Sequence, residues 1–172
     1  VAVITLTSGA DSVALGTEAD AIWGRIADIT AADIISAGNG AAIDRIILRD
    51  GGLLDFRSGG NAAGLSGFES LALAGSNNTV LLAAATATGA FQGYFTIQGS
   101  AGDDTVYAAL APASTRIAFV AGTGDDRFYG GAGNDIIWIA PSALNGNDLF
   151  SGAGGIASLA FSAAGTVGPS GF

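Results

Sequence analysis

The chain has 172 residues, with 28 glycines, 49% hydrophobic residues and 12% charged residues, about half the charged share of an ordinary soluble domain. All six basic residues are arginine against fifteen acidic ones, a net charge of −9 that argues against nucleic acid and anionic lipid and favours a cation as partner. Cysteine, histidine, methionine and lysine are absent, which excludes disulfides, thiolate or imidazole metal sites, histidine acid–base catalysis and Schiff-base chemistry, and leaves carboxylates as the reactive groups.

The sequence opens at Val1 on VAVITL (1–6), a β-branched run with no basic-then-apolar leader. It therefore reads as processed or as a piece of something longer. No apolar run reaches membrane-spanning length, so no membrane insertion is expected. Ser8-Gly9-Ala10-Asp11, Gly16-Thr17-Glu18-Ala19-Asp20 and Ala31-Ala32-Asp33 follow as acidic turns around Trp23, and DRIIL (44–48) is the next strand candidate. Residues 51–93 are less regular, with strand candidates at Ser70–Ala74 and Thr79–Leu82. Within them, Gly75-Ser76-Asn77-Asn78-Thr79-Val80 reads as a turn that has lost its carboxylate, and Ala83–Gly89 is low in complexity. From residue 94 the pattern sharpens: YFTIQ (94–98), TRIAFV (115–120) and DIIWI (135–139) alternate with glycine-rich turns. Helical periodicity is nearly absent, and the pattern is all-β.

Self-similarity fixes the kind of β structure. Gly102-Asp103-Asp104, Gly124-Asp125-Asp126 and Gly146-Asn147-Asp148 recur at a constant interval, and Asp135 falls between the last two. Asp11, Asp20 and Asp33 repeat the spacing of Asp126, Asp135 and Asp148. Residues 9–36 lie on 124–151 without a gap, matching Gly9 with Gly124, Gly16 with Gly131, Trp23 with Trp138 and Ser36 with Ser151. The chain is thus expected to divide into a degenerate solenoid block (1–50), an irregular β middle (51–93) and a C-terminal solenoid block (94–172).

GGAGNDIIW (130–138) fits G-G-x-G-x-D-x-U-x, with U apolar, at every specified position, and GSAGDDTVY (99–107) and AGTGDDRFY (121–129) fit it with one glycine replaced. Glycine lets the backbone turn with positive φ, aspartate supplies a hard anionic oxygen, and the residue two places later points into the core. Calcium wants six to eight oxygens, more than one turn supplies but within reach of two stacked turns. With one coil of about 22 residues, Asp104, Asp126 and Asp148 would stack about 4.8 Å apart, a column of like charges costing on the order of 1 to 3 kcal/mol per pair without a cation. Asp135 would lie on the opposite edge, beside Ala113 and Ala157 one coil away. The competing role for these aspartates is to cap turns by accepting backbone amides.

These segments resemble the RTX nonapeptide repeats, with GGAGNDIIW the fullest match. The resemblance implies a right-handed parallel β-roll, a β-solenoid with Gly/Asp-rich calcium-binding turns, in a chain that leaves the cell by type I secretion and folds on external calcium. It implies calcium bound by Asp104, Asp126, Asp135 and Asp148, with carbonyls near Gly102, Gly124, Gly131, Gly133 and Gly146. Asp11, Asp20 and Asp33 are carried as further candidates, although their turns lack most of the glycines. The chain is expected to be secreted, extracellular or at the cell surface, and non-catalytic. Its apolar, charge-poor surface points to a homo-oligomer or polymer, as in a surface-layer lattice, filament or large adhesin. The alternatives are the calcium-binding region of a secreted enzyme, or an adhesin module that holds cell-surface polysaccharide through Trp23 or Trp138. These tryptophans otherwise belong to an outer face or interface.

Overall fold

The computed structural model describes residues 2–38, 42–75, 77–83 and 94–167. Most of the low-complexity stretch Ala83–Gly89 lies outside them. Among the described residues every strand pairing is parallel, which requires the chain to cross back between partners instead of turning in a hairpin. It does so by winding. Successive coils carry β1 (Val3–Thr5) and β2 (Ser12–Ala14), then β3 (Ala21–Gly24) and β4 (Ile34–Ser36). The next holds β5 (Arg45–Leu48), β6 (Leu53–Asp55) and β7 (Leu65–Ser66), and the one after it β8 (Ser70–Ala72) and β9 (Thr79–Leu81). The last are β10 (Tyr94–Gln98) with β11 (Thr105–Tyr107), β12 (Arg116–Val120) with β13 (Arg127–Tyr129), β14 (Ile136–Ile139) with β15 (Leu149–Ser151), and β16 (Ser158–Phe161).

One wall of the solenoid is an eight-stranded sheet running from β1 to β16 in the order β1-β3-β5-β8-β10-β12-β14-β16. Beside it lie a three-stranded sheet, β2-β4-β7, and a five-stranded sheet, β15-β13-β11-β9-β6. The coil holding β5, β6 and β7 contributes to all three. The chain is an all-β parallel solenoid, and within the long sheet β8 pairs with β5 on one side and β10 on the other. Among the described residues no helix is long and apolar enough to cross a membrane.

Strand alternation builds the core, because inward residues of successive coils fall in register. Ile22, Ile46, Leu71, Ile97, Phe119 and Ile137 form one inward row of the long sheet, all within a few per cent of complete burial. Leu54, Val80, Val106 and Phe128 form the facing row. Phe119 and Phe128 stack across the interior with centroids 5.7 Å apart. Each such side chain contributes about 1.5–3 kcal/mol of burial, so the rows hold the coils together and fix the register of the turns.

Coil length varies, and that changes one expectation. The step from Asp104 to Asp126 is 22 residues, as the spacing implies, whereas in the long sheet Asp135 sits opposite Ile117, 18 residues earlier. Its upstream neighbour is therefore Ile117 and not Ala113. The difference lies in Ala108–Thr115, where two tight turns (Ala111 N to Ala108 O, 2.8 Å; Thr115 N to Pro112 O, 2.9 Å) absorb the extra residues before β12. Ala157 is the downstream neighbour, next to Ser158, whose amide bonds Asp135 O at 2.9 Å.

Candidate metal centre

One local rule positions every candidate carboxylate. The acid stands two residues before an inward apolar side chain, as in Asp104-Thr105-Val106, Asp126-Arg127-Phe128 and Asp135-Ile136-Ile137. In an extended strand, residues two apart face the same side, so the acid also points inward, at the rim of the core. Asp104, Asp126, Asp33 and Asp135 are accordingly at most 1% exposed, and Asp20 is 5% exposed. A buried carboxylate needs donors, and here the neighbouring coil supplies them.

The C-terminal column runs Asn78, Asp104, Asp126, Asp148. Each carboxylate Oδ1 accepts the backbone amide of the preceding member: Asn78 N to Asp104 at 3.2 Å, Asp104 N to Asp126 at 3.0 Å, and Asp126 N to Asp148 at 2.8 Å. The other oxygen turns back into its own coil. Ser100 N reaches Asp104 Oδ2 at 2.6 Å and Asn145 N reaches Asp148 Oδ2 at 2.8 Å. Asp126 breaks this pattern, since its Oδ2 is buried with no hydrogen-bond donor. Burial, followed by the charges of Asp104, Asp148 and Asp103, pushes the Asp126 carboxyl up to about 7, although the Asp104 amide pulls the other way.

Asp135 lies in the long-sheet edge column, with Ile117 N on Oδ1 at 2.9 Å and Gly131 N on Oδ2 at 2.8 Å. Burial raises its pKa against those two amides. Gly133 lies in the same turn, where a Cβ would collide with the carbonyl of Thr115 in the coil before. Gly124 has φ +115 and faces Gly102 across the coil step, which is left-handed backbone that suits glycine. The Gly124 carbonyl accepts Asn145 Nδ2 at 2.7 Å and the Gly131 carbonyl accepts Gly154 N at 2.9 Å. Gly102 and Gly146 lie in the turns before Asp104 and Asp148.

The N-terminal candidates occupy equivalent positions. Asp11 N donates to Asp33 Oδ1 at 2.9 Å, Thr30 N donates to Asp33 Oδ2 at 2.8 Å, and Thr7 N donates to Asp11 Oδ2 at 2.9 Å. Asp20 accepts Ala2 N, and Asp20 N in turn donates to Asp44 Oδ1 at 2.7 Å. Asp44 N donates to Glu69 Oε2 at 2.8 Å. Asp44 and Glu69 are column members that the glycine motif does not mark, whereas Asn78 stands in the turn read from the sequence as one that has lost its carboxylate. The signal of Asp44 and Glu69 in the sequence is the acid-x-apolar placement alone: Asp44-Arg45-Ile46 and Glu69-Ser70-Leu71.

Calcium fits the C-terminal column better than the N-terminal ones. Its donors are all oxygens, the hard ligands that calcium prefers, and Asp126 supplies an orphaned buried anionic oxygen between two further carboxylates. Among the described residues no three acidic side chains converge on a point. A cation there would draw on carboxylates of successive coils together with turn carbonyls.

Residues 96–110 and 119–138 match the family model of the RTX calcium-binding nonapeptide repeat, in its four-copy form. They contain Asp104, Asp126 and Asp135. No curated protein and no solved structure matches the chain.

Proposed function

The chain carries RTX calcium-binding nonapeptide repeats in its C-terminal half, and from that premise we propose that it is a non-catalytic, calcium-stabilised structural module of an extracellular bacterial assembly: a surface-layer lattice, a filament or a large adhesin. In this reading Asp104, Asp126, Asp135 and Asp148 hold calcium with the carbonyls of the glycine turns, and the ion neutralises a column that otherwise stacks buried carboxylates. The orphaned Oδ2 of Asp126 is the observation that carries it. Asp11, Asp20 and Asp33 act instead as amide acceptors that lock the first coils.

Self-association is supported by the surface. Away from the long sheet, Ile34, Leu53 and Leu149 are 47% to 66% exposed, and Arg57–Asp55 is the one ion pair among the described residues. Exposed apolar area of this kind favours contact between copies, and cations bound along the acidic columns would offset the net charge of −9 that opposes it. The test strips calcium with a chelator and follows far-UV circular dichroism together with sedimentation. Loss of β signal and of assembly on chelation, both restored by calcium, is the expected result. A β signal and an assembly state indifferent to calcium would overturn the reading.

A further inference from the structure

The outward face of the long sheet differs in chemistry from the rest of this acidic chain. None of its eight strands contains an aspartate or glutamate, yet Arg45 and Arg116 project from it, and Arg49 continues the outward row after β5. Arg49 and Arg116 sit on aromatic rings. The guanidinium of Arg49 lies 5.0 Å from the Trp23 ring centroid, and that of Arg116 lies 5.2 Å from the Tyr94 ring while donating to Tyr94 Oη at 2.7 Å. No carboxylate pairs with any of the three among the described residues.

Two grooves open along the same edge of this face. One, of about 510 Å³, is lined by Trp23, Arg45, Ile43 and the rim of Asp20. The other, of about 260 Å³, is lined by Tyr94, Arg116, Ile156 and the rim of Asp135. Each therefore combines an aromatic ring, an arginine without an acidic partner, an exposed isoleucine and the aspartate of the edge column. Asp20 and Asp135 are equivalent positions of the internal repeat, while the arginine comes from the coil after Asp20 in the first groove and from the coil before Asp135 in the second. Three strand steps separate β5 from β12, roughly 14 Å along the solenoid.

The geometry points to a binding face for an acidic polysaccharide, a hexuronate-bearing chain lying along the solenoid axis across the long sheet and seated in both grooves. Aromatic and isoleucine surfaces take the apolar faces of the sugar rings, and the guanidiniums take the carboxylates in the planar, forked geometry that suits arginine. Charge favours an anionic sugar over a neutral one, because the exposed polar side chains of the grooves are chiefly donors while both aspartates are buried and already accept amides. It also disfavours face-to-face pairing with a second copy, which would set arginine against arginine.

The test titrates the full chain, in calcium, with a short hexuronate oligomer and with a neutral gluco-oligosaccharide by calorimetry. The hexuronate is expected to bind at two sites. Arg45→Ala and Arg116→Ala, both at exposed positions, should each weaken one site roughly tenfold or more, and the double variant should weaken both, with circular dichroism unchanged. Equal binding of the neutral sugar, or hexuronate binding indifferent to both substitutions, would overturn the proposal. So would an absence of hexuronate binding together with self-association that the double variant abolishes, which would make this face an interface between copies.

Discussion

The backbone amide of Asp104 donates to the Oδ1 of Asp126, one coil later, at 3.0 Å. Two aspartates that repel as charges are therefore also tied by one as donor and the other as acceptor. Capping and metal binding are compatible here, because the amide uses one carboxylate oxygen and leaves Asp126 Oδ2 for a cation. Asp126→Asn separates the two roles, since it keeps the Oδ1 acceptor and removes the charge. Without calcium this variant should match or exceed the parent in thermal midpoint. In calcium it should lose much of the calcium-induced gain, read by thermal unfolding at several calcium concentrations. Asp126→Ala removes both roles and should cost about 1–3 kcal/mol even without the metal.

The same residue sets the pH response of the calcium-free chain. Burial and the neighbouring carboxylates raise Asp126 from 3.8 to about 7, so between those values the folded state holds the proton more tightly than the unfolded state. Stability from this group is complete below pH 3.8 and is lost as pH rises through about 7. Asp44, Glu69 and Asp135 are raised by burial as well and act in the same direction. Denaturant midpoints in chelator should therefore be higher at pH 5 than at pH 8. Saturating calcium should flatten that slope by competing with protons for the Asp126 carboxylate.

Asn78 terminates the column without a charge. Its Nδ2 donates to Asp104 Oδ1 at 2.7 Å, and the residue is 1% exposed. Asn78→Asp exchanges that donor for a fourth carboxylate. The chelated variant should unfold at lower denaturant than the parent, and its midpoint should rise more steeply with added calcium. An unchanged midpoint in chelator would mean that the column tolerates charge without metal.

Much of this column is legible in the sequence, for a physical reason. Turns that bring backbones together, as at Gly133 against Thr115, exclude a Cβ and so leave glycines at fixed offsets from Asp126 and Asp135. The acid-x-apolar placement then follows from strand alternation. Asp44 and Glu69 escape notice because their turns are built without that glycine pattern and their coil steps lengthen to 24 and 25 residues, so no constant spacing points to them. The neighbour of Asp135 departs from a constant spacing for the complementary reason: the step is 22 residues from Asp104 to Asp126 and 18 from β12 to β14. The pairing of Arg116 with Tyr94 joins residues 22 apart that carry no motif, and stacking alone brings them together.

The N-terminal column gives a prediction that distinguishes it from the C-terminal one. Asp20, Asp44 and Glu69 are linked by amide-to-carboxylate bonds in successive coils, and Asp44 and Glu69 are raised by burial without the orphaned oxygen that marks Asp126. With no orphaned carboxylate oxygen to satisfy, these coils should hold without the metal on the proposed reading. Hydrogen exchange after chelation should leave the amides of Asp20 and Asp44 protected while those of Asp104 and Asp126 exchange faster. Asp44→Ala, which strands the Asp20 amide in a buried site, should cost about 1–3 kcal/mol with or without calcium, whereas Asp44→Asn keeps the acceptor and should cost less. Calcium-dependent protection at Asp20 and Asp44 equal to that at Asp104 would instead place a metal in the N-terminal coils.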